Sequence, residues 1–176
     1  MTQRVFGIAG WKNSGKTTMT ERLVAELTRR GWTVATVKHA HHDADVDHEG
    51  TDSFRHRLAG AREVALVTGR RWALMHEPRD EPEPALAEIL GRLSPCDIVL
   101  VEGYKREGHA KLELRRDGAK ETTPLAPGDP SIVAIAANIP VADPGLAVFG
   151  IDDIAAIADF VERTTGLAAA PDASSR

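Results

Sequence analysis

A segment near the start of the chain has the residue types and spacing of a phosphate-binding loop. Residues 10–18 read GWKNSGKTT and match the pattern G-x-x-x-x-G-K-[ST] in full. In such a loop the glycines adopt turns that other residues avoid, so that backbone N–H groups surround an anion. The pattern predicts a nucleoside triphosphate site formed by Gly10, Trp11, Lys12, Asn13, Ser14, Gly15, Lys16, Thr17 and Thr18. Within it, Lys16 contacts the β- and γ-phosphates and the Thr17 hydroxyl ligates Mg²⁺.

An acidic residue that serves the Mg²⁺ is expected at the end of a second buried strand. Residues 97–103 read DIVLVEG, an apolar run between the carboxylates of Asp97 and Glu102. Ligands bind at the carboxyl edge of a parallel sheet, and Asp97 lies at the other end of the run, roughly 16 Å upstream at strand rise. Glu102 is therefore predicted to hold the metal or orient the attacking water, as a catalytic residue. The alternative is that Glu102 only pairs with a lysine.

The segment 39–52 is rich in metal-binding and acidic side chains. It reads HAHHDADVDHEGTD, with four histidines and four aspartates directly after a predicted strand. One interpretation is a switch-like loop that senses phosphate and Mg²⁺, with Asp52 as a further Mg²⁺ residue. A second is metal transport or storage through His39, His41, His42 and His48, although the spacing matches no standard zinc pattern. A third is a merely solvated loop.

The elements that must position these residues alternate between strands and helices. Strands are predicted at 4–9, 33–38, 98–101, 132–136 and 147–149, and helices at 18–30, 51–60, 85–93 and 152–165. Two β-rich runs lie at 63–68 and 71–76, and 111–116 alternates with period two, which is typical of an exposed edge strand. The order predicts an α/β fold of P-loop NTPase type. Its sheet is mostly parallel, with helices on both faces and an antiparallel insertion around 63–76.

Size and composition restrict the remaining possibilities. A chain of 176 residues with 42% hydrophobic content fits one nucleotide-binding domain over residues 1–166, followed by a flexible tail over 167–176. The net charge of −4 gives no general reason to bind nucleic acid or an anionic membrane, and no apolar run approaches a membrane span. The single cysteine, Cys96, agrees with a reducing compartment. We expect a cytoplasmic protein without nucleic-acid or membrane partners.

Several segments taken together resemble a known family. They are GWKNSGKTT at 10–18, VKHAHHD at 37–43, DVD at 45–47, GTDS at 50–53, GRRWAL at 69–74 and VEGYK at 101–105. These blocks, which span about the first two thirds of the chain, resemble the molybdopterin-guanine dinucleotide biosynthesis protein B family. The resemblance implies a homodimeric GTP-binding protein with weak GTPase activity. Such a protein uses GTP and Mg²⁺ and assists the partner enzyme that attaches a guanine nucleotide to molybdopterin.

The resemblance also implies roles for individual positions. Residues 10–18 would bind the phosphates, Glu102 would serve the Mg²⁺ and water, and the 39–52 loop would face the phosphate or the partner. Guanine readers of this kind tend to place an aspartate after a late strand, whereas residues 135–138 read IAAN and present Asn138. An amide accepts without the charge assistance of a carboxylate. We therefore expect Asn138 to bind the base with only modest discrimination between GTP and ATP.

Three other functions use the same loop. A small-molecule kinase would close an arginine-rich lid over the phosphates, for which Arg70, Arg71, Arg115 and Arg116 are the clustered candidates. A metal-delivery GTPase would use the 39–52 loop. A pure binding module would hydrolyse nucleotide only incidentally. Phosphoryl transfer to an acceptor would identify the kinase.

Overall fold

The computed structural model describes residues 3–40, 46–119, 121–142 and 145–167. Contacts divide the chain into two compact units, one within Met1–His39 and Leu86–Arg176 and the other within Ala40–Ala85. The single domain predicted over residues 1–166 stays a prediction. Leu167, which we expected to begin the tail, is buried against the core, and the rest of that predicted tail lies outside the described residues.

Eight strands and four helices follow one another along the described chain. The strands are β1 (Val5–Gly10), β2 (Val34–Lys38), β3 (Glu63–Val67), β4 (Trp72–His76), β5 (Ile98–Glu102), β6 (Lys111–Arg115), β7 (Ile132–Ala137) and β8 (Ala147–Gly150). The helices are α1 (Lys16–Arg29), α2 (Asp52–Leu58), α3 (Leu86–Arg92) and α4 (Ile154–Thr165), with a 3-10 turn at Ala126–Gly128. None of these helices has the length and apolar content that crossing a membrane requires.

The first unit contains a six-stranded sheet in the order β2-β5-β1-β6-β7-β8. Every neighbouring pair in it is parallel. The carboxyl ends of all six strands therefore meet at one edge, which is where ligands of such sheets bind. This confirms the predicted α/β class with a mostly parallel sheet.

Helices cover both faces of the sheet. Phe6 and Ile8 of β1 are fully buried in a cluster that includes Leu23 of α1 and Ile157 of α4. On the opposite face, Val99 and Val101 of β5 are buried in a second cluster with Leu86, the first residue of α3. Because successive strand residues point to opposite faces, continuous apolar strands such as β5 are suited to this two-sided burial.

The prediction that residues 111–116 form an exposed edge strand was wrong. Strand β6 lies inside the sheet between β1 and β7, and Lys111 and Glu113 are almost completely buried. The ammonium of Lys111 contacts Asp129, the Ser131 hydroxyl and a backbone carbonyl, so internal partners replace water. Alternating charge indicates an edge strand only when the charged side chains reach solvent, and here they do not.

The second unit contains α2 and an antiparallel hairpin formed by β3 and β4. The side chain of Thr51 accepts a hydrogen bond from the Phe54 N–H and so caps α2. The hairpin pairs Glu63 with His76 at one end and Val67 with Trp72 at the other. This is the antiparallel insertion that the sequence predicts around residues 63–76.

Candidate functional site

The loop between β1 and α1 has the backbone of an anion cradle. Gly10, Asn13 and Gly15 have φ angles of 151°, 66° and 92°, and Lys16 then begins α1. A Cβ on Gly10 would lie 2.4 Å from the Ser14 hydroxyl oxygen, so only glycine fits there. The loop thus aims the positive end of the α1 dipole at the sheet edge where ligands bind.

Ser14 provides a buried hydroxyl within this loop. Its side chain is 1% exposed, and its Oγ has no hydrogen-bond partner within the described part of the chain. A buried polar atom without a partner is unusual in a folded protein. In an anion-binding loop such a hydroxyl is placed to donate a hydrogen bond to the bound anion.

Lys16 folds back over the loop. Its Nζ donates a 2.7 Å hydrogen bond to the Trp11 carbonyl oxygen. Burial lowers the pKa of the Lys16 ammonium from its usual value, the charges of Lys105 and Lys38 act in the same direction, and Glu102 opposes them. The site therefore concentrates positive charge that a polyphosphate would neutralise.

Glu102 lies beside the first residues of α1, as the sequence predicts for a metal-site carboxylate. It is the last residue of β5, is 8% exposed, and its Oε1 and Oε2 lie 3.2 and 3.4 Å from the Thr17 hydroxyl, which donates to them. Lys38 of β2 contacts Oε1 at 3.7 Å, so the lysine pairing considered as an alternative is also present. A hydroxyl and a carboxylate oxygen are hard ligands that suit Mg²⁺.

Asp97, the rejected candidate, has a different environment. Its Oδ2 accepts a 2.7 Å hydrogen bond from the backbone N–H of Thr33, at the start of the strand pair β2 and β5. The Asp97 carboxylate therefore holds the residue that precedes β2, at the end of the strands opposite the carboxyl edge of the sheet.

Trp11 links three parts of the site. Its indole N–H donates a 2.7 Å hydrogen bond to the Thr123 carbonyl oxygen, in the connection that follows β6. The Lys105 ammonium lies 4.3 Å from the centre of the Trp11 ring, in a cation–π contact. Lys12, its neighbour, is exposed.

Sequence reasoning missed Glu113 of β6. Its carboxylate accepts hydrogen bonds from the N–H groups of Leu125 and Ala126 at 2.8 and 3.0 Å and from Arg115 Nη2 at 2.9 Å. The loop that holds Trp11 through Thr123 is thus attached to the sheet. The available signal was a glutamate between the apolar residues Leu112 and Leu114.

Asn138 follows β7 directly and so lies at the same sheet edge as the phosphate loop. Its Oδ1 accepts a 2.9 Å hydrogen bond from the Asp117 N–H. The amide oxygen that we expect to read a base is thus already engaged by one donor and retains a second lone pair.

Only part of the 39–52 loop is described. The N–H of His39 donates to the Glu102 carbonyl oxygen at 2.9 Å, and its ring lies 4.6 Å from the Tyr104 ring centre. His41, His42, Asp43 and Asp45 lie outside the described residues. Within the described ranges, no group of three or more His, Cys, Asp or Glu side chains is arranged to hold a metal ion.

The end of that loop belongs to the second unit. Asp47 accepts hydrogen bonds from the hydroxyls of Thr51 and Ser53 and from Arg57. Burial of the carboxyl disfavours its charge, but these hydrogen bonds outweigh burial and lower the Asp47 pKa. Asp52 is the first residue of α2, with a side chain 90% exposed and 3.8 Å from Arg55, and its predicted metal role stays a prediction.

Comparison with known proteins identifies relatives along most of the chain. Residues 5–138 match the family model described as "Molybdopterin guanine dinucleotide synthesis protein B". The chain is 39% identical over 159 residues to the molybdopterin-guanine dinucleotide biosynthesis adapter protein of Escherichia coli, covering 89% of this chain and 90% of that protein. It is also 39% identical to the adapter protein of the same name from Haemophilus influenzae, over 90% of this chain and 88% of that protein.

Solved structures named for the same family also superimpose on this chain. A crystal structure of a MobB protein homolog from Bacillus stearothermophilus superimposes with a TM-score of 0.67 at 29% identity, covering 92% of this chain and 99% of that one. A crystal structure of molybdopterin-guanine biosynthesis protein B superimposes with a TM-score of 0.70 at 26% identity, covering 90% and 98%. This chain therefore belongs to the molybdopterin guanine dinucleotide synthesis protein B family.

Proposed function

We propose that this protein is an adapter in molybdopterin guanine dinucleotide biosynthesis that binds GTP with Mg²⁺ and hydrolyses it slowly. The relatives named as adapter proteins of this pathway support the pathway role. The observation that carries the nucleotide role is the contact between the Thr17 hydroxyl and the Glu102 carboxylate beside Lys16. A phosphate loop and a carboxylate at the end of the neighbouring strand are the parts that position a Mg²⁺–nucleotide complex.

Each part has a distinct task in this proposal. The backbone N–H groups of the loop and Lys16 bind the phosphates, and Thr17 and Glu102 hold the hydrated Mg²⁺, with Asp52 as a further candidate. The metal would neutralise the charge that develops on the phosphates. Glu102 also orients the water that attacks the γ-phosphate. Asn138 contacts the base, and because its amide is neutral, selectivity for GTP over ATP is modest.

The beginning of the 39–52 loop supports a switch role for this segment. His39 is hydrogen-bonded to the backbone of Glu102, the residue proposed to serve the metal. Changes at the γ-phosphate and Mg²⁺ would therefore reach the loop through one residue. Limited proteolysis should cut within residues 39–52 faster with GDP than with a non-hydrolysable GTP analogue. Nucleotide-independent cleavage together with tight Zn²⁺ or Ni²⁺ binding would favour the metal-delivery alternative instead.

An apolar face on the hairpin supports the homodimer. Val67, Trp72 and Leu74 share one face of the pair β3 and β4 and are 72%, 68% and 49% exposed. A two-stranded hairpin is marginal by itself, and exposed aromatic patches of this kind are typical of interfaces. Trp72→Glu should therefore yield monomers in analytical ultracentrifugation. Val148→Glu, at an apolar position of β8 that is 47% exposed, is the matched control and should leave the oligomeric state unchanged.

One experiment tests the nucleotide proposal directly. Calorimetry should show GTP binding that depends on Mg²⁺, and Lys16→Ala should weaken it by about 10-fold or more, because a charge-assisted phosphate contact is lost. Hydrolysis of GTP and ATP should be compared with and without the partner enzyme that attaches the guanine nucleotide. Wild-type affinity in Lys16→Ala would contradict the assignment, and phosphoryl transfer to an acceptor would favour a kinase.

A further inference from the structure

Arg116 lies beside the phosphate loop, on the side opposite Glu102. It follows the last residue of β6, and its Nη1 lies 3.6 Å from the point where a Cβ on Gly15 would be. Gly15 is the residue that immediately precedes α1. The guanidinium is therefore next to the backbone that presents the first N–H groups of this helix.

No carboxylate within the described part of the chain pairs with Arg116. The side chain is exposed, and it makes no hydrogen bond or ion pair with any residue in the described ranges. The buried carboxylate of the same strand, Glu113, is occupied by Arg115 and two backbone N–H groups. A cation at the positive end of a helix is unfavourable by itself, so the arrangement fits a bound anion.

Strand order then indicates which part of a nucleotide Arg116 meets. Four proposed site elements follow the strand order across this edge. They are Glu102 at the end of β5, the loop after β1, Arg116 after β6 and Asn138 after β7. Neighbouring strands are about 4.8 Å apart, so these positions are spread across the edge in that order. Glu102 and Thr17 define the metal and γ-phosphate side, and Asn138 defines the base side.

A small cavity adjoins Arg116. It is lined by Trp11, Arg116, Thr123 and Ile139, among others. Ile139 follows Asn138, so the lining of this cavity reaches from the loop to the neighbour of the predicted base reader. Arg116 thus lies between the metal side and the base side, where the α- and β-phosphates would pass.

We propose that Arg116 binds the α- and β-phosphates, the part that nucleoside di- and triphosphates share. This inference rests on the proposed nucleotide-binding function and adds a residue to that site. Arginine presents paired N–H donors that match phosphate oxygens. Because the contact is made in both the diphosphate and the triphosphate complex, it raises the affinity for GDP and GTP alike and leaves the turnover number of the bound complex unchanged.

The test measures affinity for GDP and GTP by calorimetry in Arg116→Ala and Arg116→Lys, with single-turnover hydrolysis at saturating protein. Arg163→Ala removes an exposed arginine of α4 with the same change in net charge and is the matched control. We expect Arg116→Ala to weaken both nucleotides by a similar factor of about 10-fold or more, with an unchanged single-turnover rate. Arg116→Lys should recover part of the loss, and Arg163→Ala should bind as wild type does.

Two outcomes would overturn the inference. Unchanged affinity for both nucleotides would show that Arg116 does not touch the phosphates. A loss confined to GTP, or a slower single-turnover rate with unchanged affinity, would place the guanidinium on the γ-phosphate as a transition-state residue. Failure of the proposed function itself is distinguishable, because then the wild-type protein and Lys16→Ala would bind nucleotide equally poorly.

Discussion

Two buried glutamates, on the strands that flank β1, have opposite environments. Glu113 on β6 is 1% exposed and accepts three hydrogen bonds between 2.8 and 3.0 Å. Glu102 on β5 is 8% exposed, but its contacts are longer, at 3.2 and 3.4 Å to Thr17 and 3.7 Å to Lys38. One carboxylate is held tightly by the fold, whereas the other is held loosely at the edge where a ligand would bind.

The comparison separates a carboxylate that is compensated within the protein from one that we propose binds a ligand. A buried carboxylate must be compensated, and short bonds to backbone N–H groups and to an arginine compensate Glu113 from within the protein. The partners of Glu102 are a hydroxyl and a lysine that is itself 60% exposed, and a metal or water would replace them readily. Burial alone therefore does not distinguish the two carboxylates, but the lengths of the contacts to their internal partners do.

The largest expected effect concerns Glu102, the carboxylate that we propose serves the metal and the water. Glu102→Gln keeps the shape and removes the charge, so GTP hydrolysis should fall by about 10²- to 10⁴-fold while nucleotide binding is nearly retained. Phosphate release under saturating GTP measures this effect. Asp97→Asn, at the other end of β5, is the control and should hydrolyse normally. Unaltered turnover in Glu102→Gln would move the role elsewhere, with Asp52 as the next candidate.

Substitution of Glu113 should change the stability of the protein instead. Glu113→Ala removes the negative charge that pairs with Arg115. It also removes the acceptor for the N–H groups of Leu125 and Ala126. Breaking a buried pair of this kind lowers the free energy of unfolding by about 3–5 kcal/mol. Urea denaturation measures the change, and Glu102→Ala, whose contacts to Thr17 and Lys38 are longer, should cost less than Glu113→Ala. Equal losses in both variants would remove the distinction between the two carboxylates.

A smaller effect is expected at Thr17, the nearest partner of Glu102. Thr17→Ala removes the hydroxyl proposed to ligate Mg²⁺, so the difference in GTP affinity with and without Mg²⁺ should largely disappear. Calorimetry in Mg²⁺ and in EDTA gives this difference. Thr20→Ala, whose hydroxyl only donates to the Lys16 carbonyl oxygen, should keep the Mg²⁺ dependence.

The smallest effect is a pH dependence of binding. Burial lowers the pKa of Lys16 in the free protein, whereas bound phosphates favour the charged ammonium and raise it. GTP affinity should therefore be highest where the Lys16 ammonium of the free protein is charged, and it should fall as the pH rises above that range. Proton uptake on binding at alkaline pH, measured by calorimetry in buffers of different ionisation enthalpy, checks the sign. Lys16→Arg should bind without this dependence, because arginine stays charged.

The sequence predicted most of the fold because the signals are local. The glycine spacing at residues 10–18 requires specific backbone turns, and the apolar run 98–101 followed by Glu102 predicts both a buried strand and the residue at its carboxyl end. The hairpin was also predicted, from two β-rich runs separated by a short turn. The edge assignment of residues 111–116 failed because Lys111 and Glu113 find partners far along the chain, at Asp129 and Leu125 among others.

The amino-acid sequence by itself determined the parallel α/β class and the family resemblance, and it predicted the phosphate loop and the choice of Glu102 over Asp97. Each of these depends on residue types within one segment or on the direction of one strand. The tertiary structure decided which charged residues have close partners within the fold and which lie beside the phosphate loop. Glu113 and Arg116 lie within four residues of each other on a segment of alternating charge, yet one is enclosed by N–H donors and the other lies beside Gly15. Only the packing of distant segments against β6 separates them, because a charge is compensated by what surrounds it in space.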